Sequence, residues 1–441
     1  MGNILESFYK SYTGLSQSER EYWTKYDAID NGRSLLYGGD NKVVITPLKI
    51  QPRHFDNICR IAGWKNVINL FPIKYTGSIC EDIINSNNLL DQLIDIIRRN
   101  PKIEIIPYRN TPEFYDLIAI LKDKGLRFAV PELIEKSNLF VEKYFHSKRG
   151  FRHLWSLAID KKNTIRLPFG FITENKEEAA EAGFWFKQKE KDFVIKFNRG
   201  VSGIGLIFCN LKDFSSKFTE FRSKFLKLLT DEIWENTSIV VEEKIEADSK
   251  RFGGSPNVEM KVDENGKVYR MYACEQVLST DHKTFLGVGM NPELEVDPQM
   301  ESGYDTAEKL GRFLANLGYR GYFDMDMVAG KDTQMYAVEA NLRRTGGTHI
   351  HNFAGTLLGK DYAKKYYVMS FEIKLDAKRN LKYADIYKIL EHLKYDAEKK
   401  WGILFTNADT IELGVLSLMT VTKNRKDQAR LALQIRDYLE V

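Results

Sequence analysis

Residues 193–208, FVIKFNRGVSGIGLIF, place a lysine inside an apolar run and three glycines in the loop that follows it. A Walker A loop would continue from its last glycine into lysine, but Gly205 is followed by Leu206. A dinucleotide fingerprint would need a glycine where Phe208 stands. The pattern instead predicts a hairpin whose loop amides cover phosphate groups while Lys196 reaches them from the strand. The alternative is an ordinary glycine-rich hairpin with a solvated lysine.

A second group of polar residues lies in the segments GYFDMDMVAG (321–330) and QMYAVEANLR (334–343), which a short turn joins. The spacing predicts a hairpin that brings Asp326 beside Glu339 and Asn341. Three oxygen ligands on rigid strands suit Mg²⁺, which binds through one or two carboxylates and leaves room for phosphates and water. The alternative is a solvent-facing strand pair, but the apolar residues between these ligands indicate buried strands, where unpaired carboxylates are costly.

Strands alternate with helices over residues 41–140, which predicts a Rossmann-like parallel sheet that would lie ahead of these two hairpins. The predicted strands are 42–46, 66–71, 102–108 and 126–130, and the predicted helices are 52–63, 89–99 and 111–125. This region carries no glycine fingerprint, so nothing indicates a dinucleotide site there. Residues 1–40 combine two short helical patterns with a turn-rich stretch, and we expect them to form an N-terminal arm.

The pattern changes around residue 148, where helices and strands no longer alternate regularly. The predicted helices are 146–160, 174–186 with an end near Gly183, 212–229, 306–318, 381–399 and 427–439. Besides the two hairpins, the predicted extended segments are 167–172, 239–248, 257–262 and 267–278. The fold class predicted for the chain is therefore α/β in the broad sense that includes α+β.

Four motifs in a fixed order resemble those of the ATP-grasp superfamily, over about residues 145–355. They are Lys148, then VIKFNRGVSGIGL, then VVEEKIE, then GYFDMD with VEANLRRTGG. In this superfamily two lysines contact the nucleotide phosphates beneath a glycine loop, an acidic strand end forms the hinge that reads adenine, and hairpin ligands hold two magnesium ions. The resemblance implies ATP and Mg²⁺ as cofactors, with two ions and with Mn²⁺ as a substitute.

Each motif of this resemblance implies a set of site residues. The implied phosphate-binding residues are Lys148, Lys196, Gly200, Ser202, Gly203 and Gly205. The implied hinge and ribose residues are Glu242, Glu243, Ile245 and either Glu246 or Asp248. The implied metal ligands are Asp326, Glu339 and Asn341.

The chain departs from many amino-acid ligases of the superfamily at Asp324, two residues before the metal aspartate, where those ligases carry an arginine. The charge that steadies the transferred phosphate must then come from elsewhere, and Arg343 or Arg344 is the natural candidate. We therefore expect Arg343 and Lys196 to be catalytic. The residues expected near the substrates are Glu259, Arg270, Gln276, Arg344, His349 and His351. Histidines at such positions are as often packing residues.

The resemblance also divides the chain into parts. It implies an N-terminal arm (1–40), a Rossmann-like pre-ATP-grasp domain (41–140), an ATP-grasp domain (141–360) and a C-terminal extension (361–441). The ATP-grasp domain would contain an ATP-binding subdomain at about 150–245 and a metal-binding subdomain at about 250–360. The tail KKWGILFTNADTIELGVLSLMTV is similar to the C-terminal extension of the pheganomycin type of peptide ligase.

The activity that the resemblance implies is ATP-dependent amide formation. A carboxylate would attack the γ-phosphate to give an acylphosphate, and an amine of an amino acid or peptide would displace phosphate. One alternative is a non-peptide carboxylate–amine ligase of the same fold, and another is an ATP-binding regulatory protein without catalysis. The intact metal ligands favour an enzyme. The resemblance also suggests a homodimer.

Composition excludes several other classes of partner. The chain has 65 Lys and Arg against 61 Asp and Glu, a formal net charge of +4, so no basic field indicates nucleic acid. No apolar run approaches the roughly 18 residues of a membrane span, and the N-terminal residues lack a signal-peptide pattern. The four cysteines are far apart, which suits reduced thiols and predicts a cytoplasmic protein.

Overall fold

The structure, a computed structural model, describes residues 1–8, 12, 16–200, 205–279 and 284–440. The elements before residue 146 are α1 (Ile4–Phe8), α2 (Gln17–Asp30), β1 (Lys42–Ile45), α3 (Pro52–Ala62), β2 (Val67–Leu70), α4 (Ile79–Asn85), α5 (Asn87–Arg99), α6 (Pro112–Asp123) and α7 (Leu139–Phe145). Strands β1 and β2 pair in parallel, and helices α4, α5 and α6 share a core with them. This agrees with the Rossmann-like pattern of the sequence.

The predicted strands at 102–108 and 126–130 are wrong in extent. Between them the structure has an isolated parallel bridge from Glu104 to Ala129. A proline stands at or just beyond the end of each segment. Because proline has no amide hydrogen to continue a ladder of hydrogen bonds, the pairing stops close to the bridge.

A small antiparallel sheet follows. Its elements and neighbours are α8 (Lys148–Ala158), β3 (Gly170–Thr173), α9 (Lys176–Gln188), β4 (Phe193–Phe197), β5 (Leu206–Cys209), α10 (Phe218–Leu226) and β6 (Ile239–Glu243). Within the described residues the strand order is β3-β6-β4-β5. Strands β4 and β5 pair from Phe193↔Cys209 to Lys196↔Leu206, which confirms the predicted glycine-loop hairpin. Helices α9 and α10 pack on this sheet around a core rich in phenylalanine.

Helix α9 runs through Gly183 instead of ending there. A Cβ atom at Gly183 would lie 2.8 Å from the Phe225 ring. Glycine at this position therefore allows α10 to pack closely against α9 and does not mark a helix end. Helix α10 is shorter than the predicted 212–229. Ahead of it Ser215 accepts a hydrogen bond from the Lys217 amide, a turn contact that competes with helix formation.

The second antiparallel sheet carries the C-terminal half of the chain. Its elements and neighbours are β7 (Pro256–Val262), β8 (Val268–Leu278), β9 (Phe285–Met290), α11 (Pro292–Val296), α12 (Pro298–Asn316), β10 (Gly321–Ala329), β11 (Met335–Asn341), α13 (Thr348–Leu358), β12 (Tyr367–Lys374), α14 (Tyr383–Ile389), β13 (Gly402–Asn407), β14 (Val415–Thr422) and α15 (Arg425–Leu439). In the described part of the chain the order is β11-β10-β7-β8-β9-β12-β14-β13. Helix α12 begins earlier than the predicted 306, because Asp297 caps it and Pro298 opens it.

This sheet continues across residue 360, where the C-terminal extension was predicted to begin. Strand β12 pairs with β9 through Val368↔Met290 and Met369↔Gly289. At Gly287 a Cβ atom would lie 1.9 Å from the Ser370 carbonyl oxygen, so a side chain would separate the strands. The predicted boundary stays a prediction, with strands of one sheet on both sides of it.

The predicted helix at 381–399 is mostly wrong, since α14 covers only Tyr383–Ile389. After α14 the chain turns back on itself, with bridges from Lys394 to Ile403 and from Asp396 to Trp401. Helix α15 matches the predicted 427–439 closely. Among the helices that the structure describes, none is long and apolar enough to cross a membrane.

Candidate active site

A cavity of about 1510 Å³ lies between the two antiparallel sheets and reaches the N-terminal helices. Its wall includes Lys148 and Lys196 from the small-sheet side, and Asp326 and Glu339 from the large sheet. The two motifs that the sequence singled out therefore face one space. Their side chains determine what this space can bind.

Lys196 lies on β4 and is 7% exposed. Its Nζ is 2.5 Å from Oε1 of Glu242 on the neighbouring strand β6, and it donates to the Val338 carbonyl at 3.3 Å. Arg152 from α8 donates to the other oxygen of Glu242 at 3.0 Å. The Glu242 carboxylate thus provides a buried partner of opposite charge for this lysine.

Lys148 is the first residue of α8, and the hydroxyl of Ser147 caps that helix. Its Nζ forms an ion pair with Oε2 of Glu339, a residue that follows 191 positions later. Burial lowers the pKa of Lys148 to about 7, and the nearby Lys196 ammonium adds to this effect. The two lysines thus end on adjacent residues of β11, Val338 and Glu339.

The glycine loop contributes Gly200 and Gly205 to the cavity wall. Gly205 has φ +72°, and a Cβ atom there would lie 2.3 Å from Phe197 Cβ. Glycine is therefore required for both the backbone conformation and the close contact. The other predicted loop residues, Ser202 and Gly203, lie outside the described residues.

The predicted hinge follows β6 along one edge of the cavity. Glu242, Glu243, Ile245 and Glu246 line it. Glu243 accepts the Phe169 amide at 2.9 Å and pairs with Lys191 at 2.7 Å, so its side chain holds strand ends together. Glu242 is the partner of Lys196, a role that the sequence did not indicate. Of the two acids considered for ribose, only Glu246 lines the cavity; Asp248 does not.

The predicted metal hairpin is formed by β10 and β11. Asp326 lies directly opposite Glu339, and Asp324 lies opposite Asn341. The Asn341 side-chain amide donates to Oδ2 of Asp326 at 3.1 Å. The predicted position of Asp326, beside Glu339 and Asn341, is therefore confirmed.

Two further polar residues complete this group, and the sequence analysis missed one of them, Asn257. Asn257 on β7 donates from one amide to Asp324 at 2.8 Å and to Asp326 at 2.5 Å. Gln276 on β8, expected near the substrates, donates to Oδ1 of Asp326. Asn257 gave no local signal, because its importance comes from the pairing of β7 with β10.

The donor set of this group suits a hard cation. Burial raises the pKa of both Asp324 and Asp326, and the neighbouring Asp326 carboxylate adds to the rise for Asp324. A divalent cation with oxygen ligands would offset that cost. Among the described residues, no three His, Cys, Asp or Glu side chains form a preassembled metal group, and Glu339 contacts Lys148. The residue types fit Mg²⁺.

The two arginines after β11 have different positions. Arg343 lines the cavity, donates to Asn341 Oδ1 at 3.2 Å and approaches the Tyr108 hydroxyl at 3.4 Å. Arg344 is buried outside the cavity wall and pairs with both oxygens of Glu132. Of the two arginines predicted to supply this charge, Arg343 lines the cavity and Arg344 does not.

Apart from Gln276, the other residues expected near the substrates lie outside the cavity wall. Glu259 is fully buried and accepts hydrogen bonds from the hydroxyls of Thr345 at 2.9 Å and Thr348 at 2.6 Å. His349 packs edge-on against Tyr37. These residues position the loop before α13 and do not reach the cavity.

Two more of the expected substrate residues make packing or surface contacts. His351 stacks on Tyr272 with ring centroids 5.0 Å apart. Arg270 faces solvent and pairs with Glu301 and Asp305 of α12. Gln276 is thus the one member of the expected substrate set that lines the cavity in the described part of the chain.

No protein-family model matches the chain. The L-propargylglycine–L-glutamate ligase of Streptantibioticus cattleyicolor is 32% identical to it over 106 residues, which are 24% of this chain and 21% of that protein. The chain thus matches about a fifth of that relative's length.

Several solved structures share the fold. Biotin carboxylase from Campylobacter jejuni, in a β,γ-ATP complex, has a TM-score of 0.53 and 14% identity, covering 91% of this chain and 86% of its own. The N5-carboxyaminoimidazole ribonucleotide synthetase purK with ADP has a TM-score of 0.51 and 12% identity, covering 94% and 96%. The N5-carboxyaminoimidazole synthase of Aspergillus clavatus has a TM-score of 0.52 and 10% identity, covering 91% and 99%. The chain has the ATP-grasp fold.

Proposed function

We propose that the chain is an ATP-dependent ligase that joins a carboxylate to the amine of an amino acid or peptide. The carboxylate oxygen bonds to the γ-phosphorus of ATP as the bond to ADP breaks. The amine nitrogen then bonds to the acyl carbon of the resulting acylphosphate, phosphate leaves with the electron pair, and the amine loses a proton. The products are an amide, ADP and phosphate.

The main support for this proposal is that two lysines and the acidic hairpin line the same cavity. Lys148 and Lys196 come from separate elements, yet they end beside Glu339 and Val338 of the same strand. A polyphosphate in the cavity would exchange these internal partners for phosphate oxygens. Catalysis of phosphoryl transfer requires mainly such positioned charges.

The remaining residues have complementary roles in the proposal. The loop that contains Gly200 and Gly205 covers the phosphates, and the hinge from Glu242 to Glu246 receives the nucleoside, with Glu246 as the ribose acid. Arg343 neutralises charge on the transferred phosphoryl group, since its guanidinium faces the cavity next to Asn341.

The hairpin residues Asp326, Glu339 and Asn341 would hold Mg²⁺. The ion, when bound, supplies charge neutralisation and orientation of the phosphates. Occupancy by two ions and replacement by Mn²⁺ are part of the proposal. The oxygen ligands and the mutual repulsion of the buried aspartates support it.

The chain is locally similar to the L-propargylglycine–L-glutamate ligase, whose name contains two amino acids. This similarity supports amino acids or peptides as substrates. The pheganomycin type of peptide ligase, a homodimeric state and a cytoplasmic location stay predictions from the sequence. So do the residue boundaries of the predicted domains.

The test is release of ADP from MgATP by the purified protein, screened over amino acids and short peptides singly and in pairs. We expect release only with a carboxylate and an amine together, and its loss in Lys196→Ala and Glu339→Ala. Lys161→Ala is a control, because Lys161 is exposed and lies outside the cavity wall.

Other outcomes would favour the alternatives. Turnover with amines that are not amino acids would indicate a non-peptide carboxylate–amine ligase. Tight binding of MgATP without turnover over the whole screen would contradict the enzyme and favour a regulatory ATP-binding protein.

A further inference from the structure

The cavity extends past Arg343 to an end formed by α2 and by β12. The Arg343 guanidinium lies 4.9 Å from the ring centre of Phe8 and contacts Tyr108, which packs against Phe8. Beyond these rings the wall consists of α2 side chains and of Glu372 from β12. We call this part the acidic end, defined by Asp27, Asp30 and Glu372. The proposed reaction does not use it.

Aromatic rings surround the acidic end. Trp23 packs against Tyr12, Tyr22 and Tyr26, with ring centroids 5.5 to 6.2 Å apart. All four side chains line the cavity. Trp23 is only half-buried and Tyr22 is 44% exposed, so the rings leave surface for a ligand. Ring faces attract cations, most strongly where water is excluded.

The carboxylates at this end have unused acceptor oxygens. Asp27 is 5% exposed, and its Oδ2 accepts from the Tyr12 hydroxyl at 2.8 Å. Asp30 is 7% exposed and pairs through Oδ2 with Arg33 at 2.9 Å. Within the described residues, no hydrogen bond or ion pair reaches Oδ1 of either aspartate. Each of these two buried carboxylates thus has one oxygen for which the described residues provide no partner, and both side chains line the cavity.

Among the described residues, the three carboxylates of the acidic end have one directly paired guanidinium, since Arg33 pairs with Asp30. The Arg343 guanidinium also favours the charged form of Asp27, and Lys374 lines the cavity from an exposed position. Tyr26 donates to Glu372, a neutral contact. Burial raises the pKa of all three carboxyl groups, to about 7 for Asp27. A cation bound at the acidic end would offset part of this cost.

We propose that the acidic end is a subsite for a protonated amine carried by one of the two substrates. This assignment of a substrate class depends on the proposed ligase function. The amine held there keeps its proton because carboxylates stabilise the ammonium form. A protonated amine has no free electron pair, so this group is distinct from the amine that forms the new bond. At least one substrate therefore bears an amine that is recognised but does not react.

The test uses benzylamine, an ammonium ion on an aromatic body, and benzyl alcohol, its neutral counterpart. Each is titrated into the full chain without nucleotide at mildly alkaline pH, and tryptophan fluorescence is followed. Trp23→Phe identifies the part of the signal that comes from the acidic end. We expect benzylamine to bind about 10-fold more tightly than benzyl alcohol, as one favourable charged contact would give.

Asp27→Asn should bring the two affinities to within about 2-fold of each other. Asparagine can still accept from Tyr12 and resembles the protonated acid in shape, so the variant should fold. Glu372→Gln is a second variant with the same expected direction, and circular dichroism checks both folds. Glu21→Gln is the control, because it removes a carboxylate from the exposed face of the same helix.

Equal binding of the two probes by the wild type would overturn the proposal, as would no binding at all. Preference for benzylamine that survives in both Asp27→Asn and Glu372→Gln would also overturn it. Because these titrations contain no ATP, they do not depend on turnover. Failure of the ligase function would appear separately, as missing ADP release in a protein that still prefers the ammonium probe.

Discussion

Lys196 and Glu242 form a buried ion pair across neighbouring strands, with 2.5 Å between Nζ and Oε1 and side chains 8% and 5% exposed. Arg152 contacts the second carboxylate oxygen of Glu242. Glu242 therefore keeps a cationic partner when Lys196 turns toward another anion. This arrangement allows the lysine to serve a phosphate without leaving a buried carboxylate alone.

Lys196→Ala should abolish turnover with little loss of fold, because Arg152 still pairs with Glu242. We expect ADP release to fall by about 100-fold or more, in the range for loss of one charged contact to a transition state. Steady-state kinetics measures this fall, and thermal unfolding checks the fold. Turnover within a few-fold of the wild type would contradict a role at the phosphates.

Glu339→Gln should weaken the use of Mg²⁺. The variant removes one carboxylate of the hairpin and also the ion pair with Lys148. Loss of an outer partner of a metal ligand costs roughly 10- to 100-fold in affinity, and we expect at least that for a ligand. The measurement is the Mg²⁺ concentration that gives half-maximal ADP release, which should be higher for the variant than for the wild type. Glu264→Gln, a change in the turn between β7 and β8, serves as the comparison; an equal effect there would refute the assignment.

Gly205→Ala should damage both the loop and nucleotide binding. The backbone has φ +72° at this position, which costs a residue with Cβ about 1 to 2 kcal/mol. The contact with Phe197 adds to that cost. Isothermal titration with ATP should show weaker binding and thermal unfolding a lower Tm. Gly39→Ala should change neither, because a Cβ atom at Gly39 would meet nothing within 4 Å.

The two acids near the hinge should behave differently toward ATP. Glu246→Gln should raise KM for ATP by about 10-fold, the equivalent of ~1.4 kcal/mol for one charged hydrogen bond. Asp248→Asn should leave KM unchanged, since Asp248 lies outside the cavity wall. The reverse pattern would assign ribose binding to Asp248.

Glu259 should make stability fall as pH rises. Burial raises its pKa from 4.5 to about 7. Its folded-state pKa is above the unfolded value, so its stabilisation is complete below pH 4.5 and is lost as pH rises toward about 7. The free energy of unfolding of the wild type should therefore decline more steeply than that of Glu259→Gln over this interval. Urea unfolding at several pH values measures both slopes, and parallel slopes would show that Glu259 does not titrate there.

Local sequence was sufficient to predict that the two hairpins exist, because side chains alternate with a period of two along a strand and Lys196 had to lie in the strand before the glycine loop. The exact register of the second hairpin was not local. The pairing next to its turn would place Asp326 opposite Val338, and a bulge between Asp326 and Met327 brings Glu339 opposite Asp326 instead. Helix α6 could also be predicted from local sequence, since Thr111 caps it and Pro112 is its first residue.

The tertiary structure decided which side chains from distant segments meet. Lys148 reaches Glu339 across 191 positions, and Asn257 joins the aspartates through the pairing of β7 with β10. Helix α2 was expected to belong to a peripheral arm, yet Asp27 lies at the far end of the cavity. A local pattern tells which face of a strand or helix is buried, but the partner of that face depends on how all the elements pack together.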